Sequence, residues 1–306
     1  MAMKWLVAMA MMAWSLLAQA DGDVPTRFLN RDSVIYTRHN MTQNQDGSGN
    51  ASGLPMAPHR NDYGEVCVYC HTPHGANSTF AGPLWNRTMK NPVYTNYNSM
   101  TLVGEISTPG VNSLTCLSCH DGVTAIDSVI NMPGPGGYLR QQELTQNDEF
   151  LNTWNNASGP DATLHQSLLG GSAQGSERSC LSCHSPFAGT QGLGATDFTA
   201  VALGTDLSND HPVGVPYRDP YVYPGVDYRA ADATSKNMRF FDTNGNGRAD
   251  PDEVRFYDTG TGYKVECASC HDPHGVPSRG KTGLFNRTFL RVTNDRSQLC
   301  LTCHVK

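Results

Sequence analysis

The most continuous apolar run in this chain is Trp5 to Leu17, with Lys4 before it and Ala18-Gln19-Ala20 after it. One charge, a short apolar stretch and a small-x-small site predict a secretory signal peptide over residues 1–20. The run is too short and wrongly flanked for a membrane span; the competing reading is a retained N-terminal anchor. Beyond Asp21 the pattern changes. No stretch sustains 3.6-residue apolar spacing over four turns, so no long amphipathic helix is expected. The prediction is mostly irregular backbone with short α-helices.

Composition sharpens that picture. Only 38% of the 306 residues are hydrophobic, while glycine (30) and proline (18) are abundant. Side-chain burial alone would struggle to offset the conformational entropy of such a chain. Some other apolar mass must supply the core. The formal charge of −6 argues against a nucleic-acid partner.

The cysteines identify that mass. All 10 lie in five copies of Cys-x-x-Cys-His. The copies are Cys67, Cys70 and His71; Cys116, Cys119 and His120; Cys180, Cys183 and His184; Cys267, Cys270 and His271; and Cys300, Cys303 and His304. This is the c-type haem attachment motif. Its two thiols add to the porphyrin vinyl groups, and the imidazole that follows becomes the proximal iron ligand. Zinc sites and disulfides are the alternatives. With 11 histidines in the chain, a His after each of five given CxxC pairs arises by chance with probability on the order of 10⁻⁷. Zinc would need the pairs to combine in twos, and disulfides require no His at a fixed offset. Five covalently held haem c groups would provide a haem-dominated core. Thioether attachment outside the bacterial cytoplasm agrees with export to the periplasm or beyond.

An internal repeat organises the motifs. Aligning residue 67 with residue 267 without a gap matches both cysteines, His71/His271, Pro73/Pro273, His74/His274 and Gly75/Gly275. Leu84/Leu284, Asn86/Asn286, Arg87/Arg287 and Thr88/Thr288 continue the match. A CLxCH motif follows each copy, at Cys116 and Cys300. The expected organisation is a signal peptide (1–20), an N-terminal two-haem module (21–155), a middle segment carrying the third haem (156–235) and a C-terminal two-haem module (236–306).

Proximal ligands use His71, His120, His184, His271 and His304, leaving His39, His59, His74, His165, His211 and His274. That supply suffices for bis-histidine ligation throughout. His74 and His274 follow a proximal His by three residues, too close to straddle the same porphyrin. They are expected to serve other haems, His74 that of Cys116 and His274 that of Cys300. The neighbouring Gly lets the backbone turn past the ring. His211, His39 and His165 are the remaining candidates, and His59 is the expected spare. Methionine ligation, by Met41, Met56, Met89, Met100, Met132 or Met238, is the rival.

A second metal site is predicted at Asp242 to Glu253. Asp242, Asn244, Asn246, Asp250 and Glu253 take positions 1, 3, 5, 9 and 12 of an EF-hand-type calcium loop, with Gly247 at position 6 and the Arg248 carbonyl at position 7. A polar Asn-Gly turn is the alternative. The expected cofactors are therefore five haem c and one Ca²⁺.

Several runs carry a family resemblance: Glu65 to Gly75, Pro83-Leu84-Trp85-Asn86, Cys116 to Gly122, Asn209-Asp210-His211-Pro212 and Cys267 to Gly275. The chain resembles the doubled-CXXCH-motif multihaem cytochromes, and among them the filament-forming tetrahaem outer-surface cytochromes of metal-reducing bacteria. The resemblance implies bis-His haems in a close row, electron transfer rather than enzymatic turnover, and one iron ligand donated by a neighbouring subunit. His39, ahead of the first motif, is the expected donor in such a homopolymer. Other redox proteins or extracellular acceptors would be the partners. The Cys180 motif departs from the tetrahaem pattern. The alternative function is a periplasmic reductase of a small oxyanion or nitrogen compound.

Overall fold

A computed structural model describes residues 33–41, 63, 65–79, 81–87, 92–100, 102, 104–131, 167–169, 179–186, 197–276 and 287–305. Residues 1–20, His59 and His165 lie outside this set. Loops dominate, as composition predicts. The helices are short: α1 (Val111–His120), α2 (Cys267–Cys270) and α3 (Gln298–Cys303), each containing cysteines of an attachment motif. The Cys67 and Cys180 motifs open with 3-10 turns, Cys67–Tyr69 and Cys180–Ser182.

The apolar pattern did not predict the sheet. β1 (Thr95–Asn96) and β2 (Asp206–Leu207) form a parallel pair. Five further strands, β3 (Val215–Pro216), β4 (Ala233–Ser235), β5 (Met238–Phe240), β6 (Arg255–Asp258) and β7 (Tyr263–Val265), form an antiparallel sheet in the order β3-β7-β6-β5-β4. β4 and β5 make a tight hairpin, Ser235 pairing with Met238 across a turn in which Lys236 adopts φ 52°. The expected module boundary at 235/236 therefore falls inside a hairpin, and residues 215–235 pack with the C-terminal module. Strands this short carry too little alternation to register against the loop background.

Two small apolar clusters form. Tyr217, Ala231, Phe241, Val254 and Phe256 pack on one face of the larger sheet, with Leu299 and Cys303 of α3 against them. Tyr63, Tyr69 and Val129 form the second, with Cys70 at its edge. Directional polar contacts join the rest. The Arg87 guanidinium, with no exposed surface, donates to the carbonyls of Ser118 (2.9 Å), Ala125 (2.9 Å) and Ile126 (2.7 Å). It ties the chain after the Cys67 motif to the C-terminal end of α1, where carbonyls carry partial negative charge.

Replacing Arg87 with Leu would leave these three buried carbonyls without the guanidinium. The expected loss is on the order of 3 kcal/mol or more, read as a lower denaturant midpoint with the slope unchanged.

Candidate haem attachment sites

Each motif closes as one helical turn. The proximal His N–H donates to the first cysteine's carbonyl at Cys67 (2.8 Å), Cys180 (2.8 Å), Cys267 (3.1 Å) and Cys300 (2.9 Å). Cys116 to His120 forms the last turn and a half of α1. This compact turn presents two thiols and an imidazole to one ligand. None of the ten cysteines is in a disulfide.

The second cysteines differ in their surroundings. Cys119 is half-buried in the last turn of α1, and its carbonyl accepts from the Gly122 N–H at 3.4 Å. It lies close enough to Cys70 that its charge adds to the burial that pushes the Cys70 thiol up to about 12. Cys183 is half-buried too, and its N–H closes the 3-10 turn on the Cys180 carbonyl at 3.2 Å. Cys119 and Cys183 were both predicted to bind haem, and both stand as free thiols that belong to no metal cluster among the described residues.

Three of the proximal rings are held in one tautomer. Nδ1 of His71 bonds the Pro83 carbonyl at 2.7 Å, that of His120 the Val201 carbonyl at 2.6 Å, and that of His271 the Thr288 carbonyl at 2.6 Å. A carbonyl accepts only from Nδ1–H, which leaves Nε2 as the free lone pair. Metal-bound histidines are oriented in this way. Burial lowers the pKa of all three rings and favours the neutral, ligating form. His184 stacks on Phe198 with ring centroids 4.1 Å apart, and His304 lies 5.3 Å from Tyr228.

Two further histidines face proximal ones. The His274 ring lies 6.3 Å from His71 with planes 11° apart, and the His39 ring 6.2 Å from His120 with planes 75° apart. A metal–nitrogen bond of about 2.0 Å, with the ring centroid about 1.1 Å behind the nitrogen, sets two trans imidazoles roughly 6.2 Å apart. Either pair would be spaced to hold one iron between its two rings. His39 is half-buried, and desolvation lowers its pKa to about 4. Its Nδ1 bonds the Pro273 carbonyl at 3.0 Å, and its ring stacks on Phe289 at 4.5 Å. His274 Nδ1 meets Asp272 Oδ1 at 3.0 Å, and this hydrogen bond raises the His274 pKa.

The ring separations bring His274 beside His71 and His39 beside His120, whereas the sequence-based pairing assigns His74 to the Cys116 haem and His274 to the Cys300 haem. His39 also bonds Pro273 of its own chain. Three-residue spacing placed His74 and His274 beyond their own haems but held no information on how the modules fold together. His211 lies close enough to His304 for its charge to be felt, with Nδ1 3.2 Å from the Pro212 carbonyl. The His74 side chain is exposed.

The repeat register also shifts after Gly275. His71 bridges to Trp85, but His271 bridges to Leu290. Leu84 and Phe289 share positive φ (52° and 61°), and Asn86 and Arg291 each donate a backbone N–H to the second motif cysteine, Cys70 or Cys270. Leu290, not residue 285, is thus the structural counterpart of Trp85. Gly75 (φ 63°) and Gly275 (φ 93°) both occupy the left-handed region.

The predicted calcium loop folds back on itself. Asp242 accepts from the N–H groups of Gly245 (2.8 Å), Asn246 (3.1 Å) and Gly247 (2.8 Å). The amides of Asn244 and Asn246 donate to Asp250 Oδ2 at 2.7 and 2.8 Å. Glu253 is fully buried and accepts from Thr243 and the Asp250 N–H. Among the described residues, no three His, Cys, Asp or Glu side chains converge as a metal cluster.

The Asp272 carboxyl illustrates how these motifs respond to acid. Burial acts to raise its pKa, but the His274 hydrogen bond and the Arg291 guanidinium at 3.0 Å prevail and hold it at about 2. A depressed carboxyl stabilises the fold above its unfolded value, about 3.9, and that stabilisation is lost as pH falls toward the folded value. Between about pH 4 and pH 2 the native protein should lose on the order of 2 kcal/mol through this group. Asp272→Asn should lack that component in denaturant midpoints measured across the same range.

A family model described as the doubled CXXCH motif matches residues 262–306. No curated protein matches the chain significantly. Among the described residues, no helix is long and apolar enough to cross a membrane. The family match and the attachment turns indicate covalently bound haem c and support a multihaem c-type cytochrome acting in electron transfer.

Proposed function

We propose that the chain is an exported five-haem c-type cytochrome that carries electrons along closely spaced bis-His haems, in the periplasm or outside the cell. The observation that carries this reading is the two pairs of neighbouring imidazoles about 6 Å apart, His71 with His274 at 6.3 Å and His39 with His120 at 6.2 Å. Each bound haem would supply a one-electron Fe(III)/Fe(II) couple. The residues do the rest. Cys67 and Cys70, Cys116 and Cys119, Cys180 and Cys183, Cys267 and Cys270, and Cys300 and Cys303 hold the groups. The five motif histidines give one axial nitrogen each. His274 and His39 give the second nitrogen at the Cys67 and Cys116 sites, and His211 is the candidate for the Cys300 site. His74 and His165 remain candidates for the Cys180 and Cys267 sites. Other redox proteins or extracellular acceptors are the partners. A filament joint through His39 is not part of this reading, because His39 faces its own chain.

The test is mass spectrometry and electron paramagnetic resonance of the secreted protein. Five covalent haems, no free thiol and an almost wholly low-spin ferric spectrum are expected. His274→Ala should convert about one haem in five to high spin. Fewer than four haems would sink the motif reading. A native high-spin fraction near one-fifth would favour the oxyanion or nitrogen-compound reductase, which needs an open iron face.

We also infer that Asp242, Asn244, Asn246, Asp250, Glu253 and the Arg248 carbonyl hold one Ca²⁺ as a brace. The spacing and the glycine turn (Gly247 φ 71°) support this. The two Asn side chains would turn their oxygens inward in place of the amides now on Asp250. Chelation should lower the melting temperature and expose 242–253 to proteolysis; if neither changes, the segment is a polar turn alone.

A further inference from the structure

The two modules meet through their attachment motifs. The helices that carry Cys116 and Cys267, α1 and α2, pack against each other. The Cys267 N–H donates to Ser113 Oγ at 2.9 Å, one turn before Cys116 on α1. Glu266, next to Cys267, accepts from the Gly110 N–H at 3.0 Å and from the Ser113 hydroxyl. The N-terminal half of α1 is thus clasped directly to α2.

The Cys180 motif attaches elsewhere. Its Cys180 and Leu181 N–H groups bond the carbonyls of Ser167 and Leu168, and Phe198, stacked on His184, donates its N–H to the His184 carbonyl at 2.8 Å. Both supports lead to the opposite end of α1. Leu169 fills the space against Gly122, where an added Cβ would come within 2.5 Å. Val201 takes the His120 Nδ1 bond, and Gly204 donates its N–H to the His120 carbonyl at 3.1 Å. The clasp to Cys267 is already closed without it.

We propose that the Cys116 and Cys267 motifs form a direct electron junction between the modules, and that the Cys180 motif, between them in sequence, is a side branch on the Cys116 site. This rests on the five-haem reading. The step is an exchange between neighbouring sites: one iron is oxidised from Fe(II) to Fe(III) as the next is reduced, with no bond broken and no proton moved. Loss of the branch would leave the connection between modules intact, which the order of the motifs along the chain would not suggest.

The test begins with the haem mass of the native protein. Fewer than five haems would defeat the five-haem reading itself. With five present, a crystal or cryo-electron-microscopy structure of the holoprotein should show porphyrin edges at Cys116 and Cys267 in van der Waals contact, about 4 Å apart. The Cys180 porphyrin should be nearest to the Cys116 one. A Cys180 porphyrin lying between the other two would overturn the proposal. As a second measurement, Ser113→Leu, which pushes the two turns apart, should keep five haems by mass yet lower protein-film conductance on the order of tenfold. Unchanged conductance in a five-haem Ser113→Leu protein would also overturn it, and if that variant does not fold the holoprotein structure decides alone.

Discussion

Glu266 is a carboxylate with only 1% of its surface exposed, shared by two helices that lie far apart in sequence. It accepts from the first amide of α1 and from the Ser113 hydroxyl, and it caps α2 together with Ser269. Burial raises its pKa, and the hydrogen bonds from Ser113 and Gly110 oppose that rise. Both of those donors converge on Oε2 and fix the carboxylate's orientation, while the buried Oε1 has no hydrogen-bond partner among the described residues. The approach is close enough that a Cβ at Gly110 would stand 2.6 Å from its oxygen. A side chain at 110 would have to displace that carboxylate. The registry of α1 on α2, and hence of Cys116 on Cys267, follows from this clasp.

The same device recurs wherever two motifs meet. The two small apolar clusters among the described residues cannot orient ten cysteines by hydrophobic packing alone. Fully buried polar side chains do so instead. Arg87 draws the Cys67 turn to α1, and Asn86 donates to the carbonyls of Val68 and Asn131. Arg291 donates to the Ala268 and Pro251 carbonyls and to Asp272. These contacts are directional, so they fix angles as well as distances. Covalent haems would add apolar mass to a frame whose geometry the polar network already sets.

How much of this was legible follows from the range of each signal. The attachment motifs are local, and all of them fold as the turns their spacing demands. Gly75 and Gly275 are local too, and both take the left-handed backbone expected of them. The five-stranded sheet was not legible, because strands of two to four residues leave no periodicity to read. The register shift from Trp85 to Leu290 was hidden by the chance strength of the gapless Leu84/Leu284 and Asn86/Asn286 matches. The imidazole pairings, like the approach of Cys119 to Cys70, are tertiary facts. They are set by how α1 is held against the motifs around it, and spacing along the chain does not carry them.

The repeat itself shows why symmetry misled. Both copies place a histidine three residues after the proximal one, before a glycine in the same backbone conformation. In the first copy the residue after the proximal His is Thr72, whose hydroxyl donates to the His74 carbonyl at 2.8 Å, while Asn131 donates to the same oxygen at 2.6 Å. Those bonds hold the His74 backbone and leave its imidazole in solvent. In the second copy the equivalent residue is Asp272, which accepts from both the His274 backbone and its Nδ1. An ionised carboxylate cannot donate to a carbonyl, so it captures the imidazole instead, and with Nδ1 so held the ring faces His71. One Thr-to-Asp difference between otherwise matching turns thus decides whether the second histidine is exposed or directed at a neighbouring site.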